Sequence, residues 1–190
     1  MTPTPEQRAR LRTKVEAAAS TYHEVEGWEQ VAAHAADLAD RIALAPSLNA
    51  ARPSLMSTLA QHGCTVVVPG TDDPAGDVAD VPVAIVAGAL AVAETGSILV
   101  PEFELADRVV TMLCKRLVQV VSVDDIVDRL EDVAAWLAPR GGQAGFASLM
   151  TGPSRTADIE RSLTIGVQGP DEVDVFVVLT DDAGGEETIT

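Results

Sequence analysis

The sequence predicts an α/β domain organised around a largely parallel sheet. Short Val- and Ile-rich runs recur along the chain, stretches with helical apolar spacing lie between them, and Gly or Pro marks most of the junctions. At 190 residues the chain fits one domain. A domain of this length buries roughly 70% of the surface its unfolded chain exposes, so it needs no disulfide or metal staple.

Residues 5–19 read as a helix opened by Pro5, and Gly27 breaks that pattern. A second helix is expected over 28–44, because Trp28, Val31, Ala32, Ala35, Leu38, Ala39 and Ile42 fall on one face; Pro46 ends it. Pro53 opens a short helix to residue 61, stopped by Gly63. CTVVVP at 64–69 is a buried strand, and TDDPAGDVAD at 71–80 a polar loop. Strands are expected at 82–86, 90–93 and 97–100, then a helix at 104–113 and a strand at 117–123. Ser122 caps a further helix whose stripe runs Ile126, Val127, Leu130, Val133, Ala134 and Leu137, ended by Pro139 and two glycines. A Gly-rich loop covers 140–154, a helix starts near Thr156, and strands follow at 163–167 and 173–180. The organisation is an N-terminal part, 1–79, that shares the domain with a motif-bearing core, 80–182; residues 183–190 form a frayed, flexible tail.

Composition excludes several function classes. With 47% hydrophobic but only 3% aromatic residues, Ala, Val and Leu fill the core and few rings are left for stacking bases. Thirteen basic against 29 acidic residues give a net charge of −16, which repels nucleic acid and anionic lipid. A basic protein, or a locally positive pocket in an acidic shell, stays compatible with it. Cys64 and Cys114, 50 residues apart, form no metal or redox motif and read as small buried hydrophobes. An iron–sulfur cluster normally takes four thiolates, so no cofactor is expected on this chain alone. The first residues lack the apolar core of a signal peptide. The longest uncharged apolar run, Val81 to Ala93, is too short to span a bilayer and is interrupted by Pro82 and Gly88. A cytoplasmic location is the resulting expectation.

Two segments break from scaffold composition. In Glu94-Thr95-Gly96-Ser97 a carboxylate and two hydroxyls follow a buried apolar run. A carboxylate at a strand end can serve as base, nucleophile or ligand for a substrate hydroxyl, and a glycine lets a ligand approach the backbone. The same residues also suit an exposed turn whose Glu points to water. In Thr151-Gly152-Pro153-Ser154-Arg155-Thr156-Ala157-Asp158-Ile159-Glu160 a Gly-Pro turn leads toward hydroxyls and a guanidinium. At a helix start these groups would hold phosphate or carboxylate. They equally suit an ordinary N-cap, with Asp158 and Glu160 complementing the helix dipole. The dinucleotide, P-loop and HExxH signatures are absent. His23, His34 and His62 fall in the helical first third, away from both segments, and read as solvated helix residues rather than ligands. No metal site is expected.

At these two segments the sequence resembles the LUD domain family. AVAETGSILV is similar to the family's AETGT-type stretch, and GPSRTADIERSLTIGVQGP resembles its most distinctive block; the resemblance covers about residues 80–180. Ser97 stands where the family usually has Thr, and Leu113-Cys114-Lys115-Arg116 lies where relatives often carry a Pro-rich, His-containing stretch. The resemblance implies a three-layer fold with a mostly parallel central sheet flanked by helices, like that of ribose-5-phosphate isomerase, glucosamine-6-phosphate deaminase and the CoA-transferases (a CoA transferase-like fold). It also implies a role in oxidising L-lactate to pyruvate beside partner proteins that carry the iron–sulfur clusters. Carried over by position, the site is Glu94 as catalytic group, with Thr95, Gly96, Ser97, Gly152, Ser154, Arg155, Thr156 and Asp158 binding a small carboxylate or phosphate. Three functions follow: a substrate-handling or accessory subunit of a lactate-oxidising system, a stand-alone isomerase- or CoA-transferase-like enzyme using Glu94, or a small-anion sensor. Self-association into a homo-oligomer is compatible with each.

Overall fold

In the computed structural model, residues 3–140, 146–156, 164–165 and 169–180 are described. The chain opens with helix α1 (Pro5–Ala17), started by a reciprocal cap in which Gln7 N donates to Thr4 Oγ1 at 3.2 Å and Thr4 N donates to Gln7 Oε1 at 2.8 Å. Then come β1 (Thr21–Val25), α2 (Trp28–Leu38), β2 (Arg41–Leu44), α3 (Pro46–Ala51), α4 (Ser54–Gln61), β3 (Thr65–Val67), α5 (Pro74–Val78) and β4 (Val83–Ala87). The second half runs β5 (Leu90–Val92), β6 (Ser97–Glu102), α6 (Leu105–Leu113), β7 (Arg116–Ser122), β8 (Ile126–Val127), α7 (Glu131–Leu137), β9 (Phe146–Met150), β10 (Arg155–Thr156), β11 (Thr164–Ile165) and β12 (Glu172–Val178).

Six strands form one sheet in the order β1-β12-β7-β4-β2-β3, and every neighbouring pair is parallel. Helices flank it, as an α/β architecture requires. Its inner strands β12, β7, β4 and β2 are Val-, Ile- and Leu-rich on both faces, the composition of a sheet covered on two sides. A second, four-stranded sheet, β8-β5-β6-β9, is mostly antiparallel. Gly88 joins the two: its N–H donates to Val120 O at 2.7 Å, and a Cβ there would meet Ile98 Cγ2 at 2.4 Å. Only a bare backbone lets the sheets close at that point.

Several elements differ from the sequence expectation. The helix expected over 28–44 stops at Leu38, and Arg41–Leu44 is a central strand whose Ile42, Ala43 and Leu44 are at most 1% exposed. Ile42 matched the helical spacing by coincidence; it belongs to a continuous buried run. TYHEV, where no strand was expected, is the edge strand β1, held by full parallel pairing to β12. Ser122 caps only a short 3₁₀ turn, because Ile126 and Val127 pair with Ala91 and Val92 in the second sheet, and the helix waits until Glu131. The polar loop contains α5, opened by Asp73 accepting from Gly76 N at 3.0 Å, and the Gly-rich loop contains β9. The expected tail, 183–190, lies outside the described residues. No helix among the described residues is long and apolar enough to cross a membrane.

Candidate functional site

After β5 the chain turns through Glu94, Thr95 and Gly96 into β6. Thr95 N and Gly96 N both donate to Val92 O, at 3.3 and 2.8 Å, and Gly96 takes φ +75°. Ser97, 2% exposed, sits between two hydroxyls: Thr95 Oγ1 donates to its Oγ at 2.8 Å, and Thr151 Oγ1 lies 2.5 Å from it on the other side. The antiparallel register of β6 and β9 sets Ile98 opposite Met150, and so carries Thr151, 54 residues along the chain, to Ser97. The two singled-out segments therefore meet, with Ser97 as the contact.

Glu94 is exposed and ties the turn to another element. Its carboxylate accepts from Leu130 N at 3.1 Å, at the start of α7, and its own N–H donates to Asp128 O at 3.1 Å. Among the described residues none of its hydrogen bonds reaches the Thr151–Ser154 stretch.

Both motif glycines make room for α1. A Cβ on Gly96 would stand 2.7 Å from the Lys14 carbonyl carbon and 2.8 Å from Val15 N; one on Gly152, at φ +76°, would stand 2.2 Å from Ala18 O. The close approach expected for a ligand is made here by the helix backbone. Beyond Gly152, Ser154 N donates to Pro170 O at 2.9 Å. Arg155 and Thr156 do not begin a helix; they pair antiparallel with Ile165 and Thr164. Thr156, Thr164 and Ile165 are β-branched, which suits extended backbone. Asp158 lies outside the described residues.

A cleft of about 710 Å³ opens beside the turn, between the first residues of α1 and the 124–132 segment. Its charged lining is Glu6, Asp124, Asp128 and Asp132 against Arg10, which donates to Asp128 Oδ1 at 2.6 Å. This excess of carboxylates disfavours an anionic ligand there.

A second polar cluster lies on the parallel sheet, and the sequence reading missed it. The register puts Thr21 and Val118 beside Asp174, and His23 beside Phe176. Since alternate residues share a face, Asp174, Phe176 and His23 project to one side. Helix α2 brings His34 onto them; it follows the buried Val31 by one helical turn. His23 Nε2 and His34 Nε2 each stand 3.8 Å from an Asp174 oxygen, and neither Nε2 has a hydrogen-bond partner among the described residues. The rings pack together, with His23 stacked on Phe176 at 4.3 Å. Asp174, 1% exposed, accepts from Arg116 Nε at 2.6 Å and from its terminal nitrogen at 3.2 Å, and the same guanidinium reaches Glu172 at 2.6 Å. Burial alone would raise the Asp174 pKa, but Arg116 and the Thr21 hydroxyl outweigh it and hold the carboxyl below its usual range. Burial and the neighbouring imidazole keep His23 below the ordinary histidine range, despite the carboxylate. The histidines are thus half-buried and converge on one carboxylate, whereas solvated helix positions were expected. No spacing signal marks the trio, because its members come from three elements.

The cysteines occupy the core as expected, both buried, and burial pushes the Cys114 thiol up to about 12.

The LUD domain model matches residues 76–178, a span that includes both contact residues, Ser97 and Thr151. Over 96 residues the chain is 29% identical to proteins named lactate utilization protein C from Geobacillus sp. (strain WCH70) and Geobacillus kaustophilus. The aligned part covers 48% of this chain but only 39% and 40% of those relatives, so the chain spans well under half of their length. A crystal structure of a DUF162 family protein from Deinococcus radiodurans superposes with a TM-score of 0.61 at 20% identity, covering 93% of this chain and 99% of that one. That likeness is one of fold.

Proposed function

The chain belongs to the LUD domain family, and we propose that it is a substrate-handling or accessory component of an L-lactate utilisation system. Oxidation of L-lactate to pyruvate releases two electrons and two protons. In this reading the electrons pass to iron–sulfur clusters on partner proteins, because a cluster normally takes four thiolates and the chain has two cysteines, Cys64 and Cys114, both free and buried. This chain's part is to present a small carboxylate. The observation that carries the reading is the Ser97–Thr151 contact, which brings the first family motif against the residue that immediately precedes the second. Thr95, Ser97, Ser154 and Thr156 would offer hydroxyls there, and Arg155 the cation that a carboxylate prefers. Gly96 and Gly152 would hold both segments against α1, and Asp158 completes the set carried over from the family pattern. Glu94, fastened to Leu130 N, would act as a positioning residue for the turn.

Loss of the gene tests this reading. Cells without the chain are expected to grow normally on succinate but poorly on L-lactate, and to recover when the chain is restored. Undiminished growth and L-lactate consumption without it would overturn the proposal.

A further inference from the structure

We propose that His23, His34 and Asp174 form a binding site for one divalent first-row transition cation, zinc or ferrous iron being the best fit. The inference is independent of the lactate reading. Three ligand atoms, two imidazole nitrogens and one carboxylate oxygen, lie within 4.8 Å of one another. In a tetrahedral zinc site the ligand atoms stand about 3.3 Å apart, given metal–ligand distances near 2.0–2.1 Å. His23 Nε2 stands 3.8 Å from Asp174 Oδ1 and His34 Nε2 3.8 Å from Oδ2, separations too long for hydrogen bonds and about half an ångström wider than that spacing. Small side-chain rotations would complete the geometry.

Four features favour a cation over a purely structural cluster. Both Nε2 atoms are inaccessible to solvent and have no hydrogen-bond partner among the described residues, although buried polar atoms are normally satisfied. Both point at the same carboxylate. Asp174 is held by Arg116, which donates to both of its oxygens, as carboxylate ligands commonly are by a second hydrogen-bonding group. Finally, with neutral imidazoles the cluster of Asp174, Glu172 and Arg116 carries one net negative charge, in a protein of net charge −16. Two imidazoles select against magnesium and calcium, which prefer oxygen ligands. Three protein ligands leave a position open for water or a small oxygen ligand, the pattern of catalytic rather than closed structural zinc sites. His23 lies on the edge strand and His34 on the helix beside it, and the two imidazoles are 28% and 29% exposed.

The test is titration of the chelator-stripped full chain with zinc chloride, followed by calorimetry, and with cobalt(II), followed by its visible ligand-field bands. One equivalent is expected to bind. His23→Gln and His34→Gln should each weaken zinc binding at least about a hundredfold, more than loss of a mere supporting contact to a ligand. His62→Gln, which removes a histidine paired with Glu29 elsewhere, should leave binding unchanged. Should a histidine variant fail to fold, nitrogen NMR of the wild-type imidazoles decides: zinc should shift the Nε2 signals of His23 and His34 and not those of His62. Failure of the wild-type chain to take up one equivalent, undiminished binding by both His23 and His34 variants that fold, or unmoved His23 and His34 signals would each overturn the site.

Discussion

The Ser97 and Thr151 hydroxyl oxygens lie 2.5 Å apart, although 54 residues separate them in the chain. Ser97 is buried and also bonded to Thr95. Ser97→Ala is therefore expected to cost about 1 kcal/mol, the usual net value of one hydrogen bond, because the exposed Thr151 can turn to water. Urea unfolding of the two chains measures it. A loss above about 3 kcal/mol would show that the hydroxyl holds more than these two partners.

The glycines of the two motifs predict an ordered series. Gly96, Gly152 and Gly63 all have positive φ, but a Cβ at Gly63 meets nothing within 4 Å. Gly63→Ala should cost only the backbone strain, about 1 kcal/mol. Gly152→Ala adds a clash with Ala18 O and Gly96→Ala a clash with the Lys14–Val15 backbone, for roughly 2–4 kcal/mol each from strain and overpacking together. Denaturation midpoints check the order. Equal losses at all three positions would remove the packing role assigned to α1.

Arg116→Ala leaves Asp174 buried without its cation. The expected loss is about 3 kcal/mol, the lower end for breaking a buried pair, since Arg116 is itself partly exposed. Glu172→Ala, on the exposed arm of the same guanidinium, should change stability by less than about 1 kcal/mol. Thermal melts of both variants would separate the two arms; similar losses would contradict the assignment.

Cys114 should be inert in the native chain. A thiol with its pKa pushed up to about 12 is almost wholly protonated at pH 8, and the thiolate is the nucleophile. Reaction with a thiol reagent at pH 8 should be negligible for Cys114 until denaturant is added. It should accelerate only as pH approaches 12, provided that the fold persists. Rapid native labelling, located by mass spectrometry, would contradict this burial.

The sequence made the parallel sheet legible where strands are buried on both faces, as at Val83–Ala87 and Glu172–Val178, because continuous Val and Ile runs have few other uses. It hid β1, whose Thr21, Tyr22, His23 and Glu24 look polar and whose strand character comes from pairing with β12. The same blindness concealed the His23–His34–Asp174 cluster, since register and the packing of α2 bring it together. The two segments stood out by composition, but they meet through Ser97 and Thr151 rather than Glu94, because the β6–β9 register decides which residues touch. The helix expected at Thr156 was a local reading of Ser, Thr and Asp, overridden by pairing with Thr164.

The most direct test of the functional account is L-lactate-dependent reduction of an electron acceptor in extracts of cells lacking the chain. Adding the purified wild-type chain is expected to restore the activity. Adding the Arg155→Ala chain should restore it only at raised L-lactate, since loss of a hydrogen bond to a charged group costs roughly 1.5–3 kcal/mol, or about 10- to 150-fold in apparent affinity. Full activity in the extract before any chain is added would contradict the account.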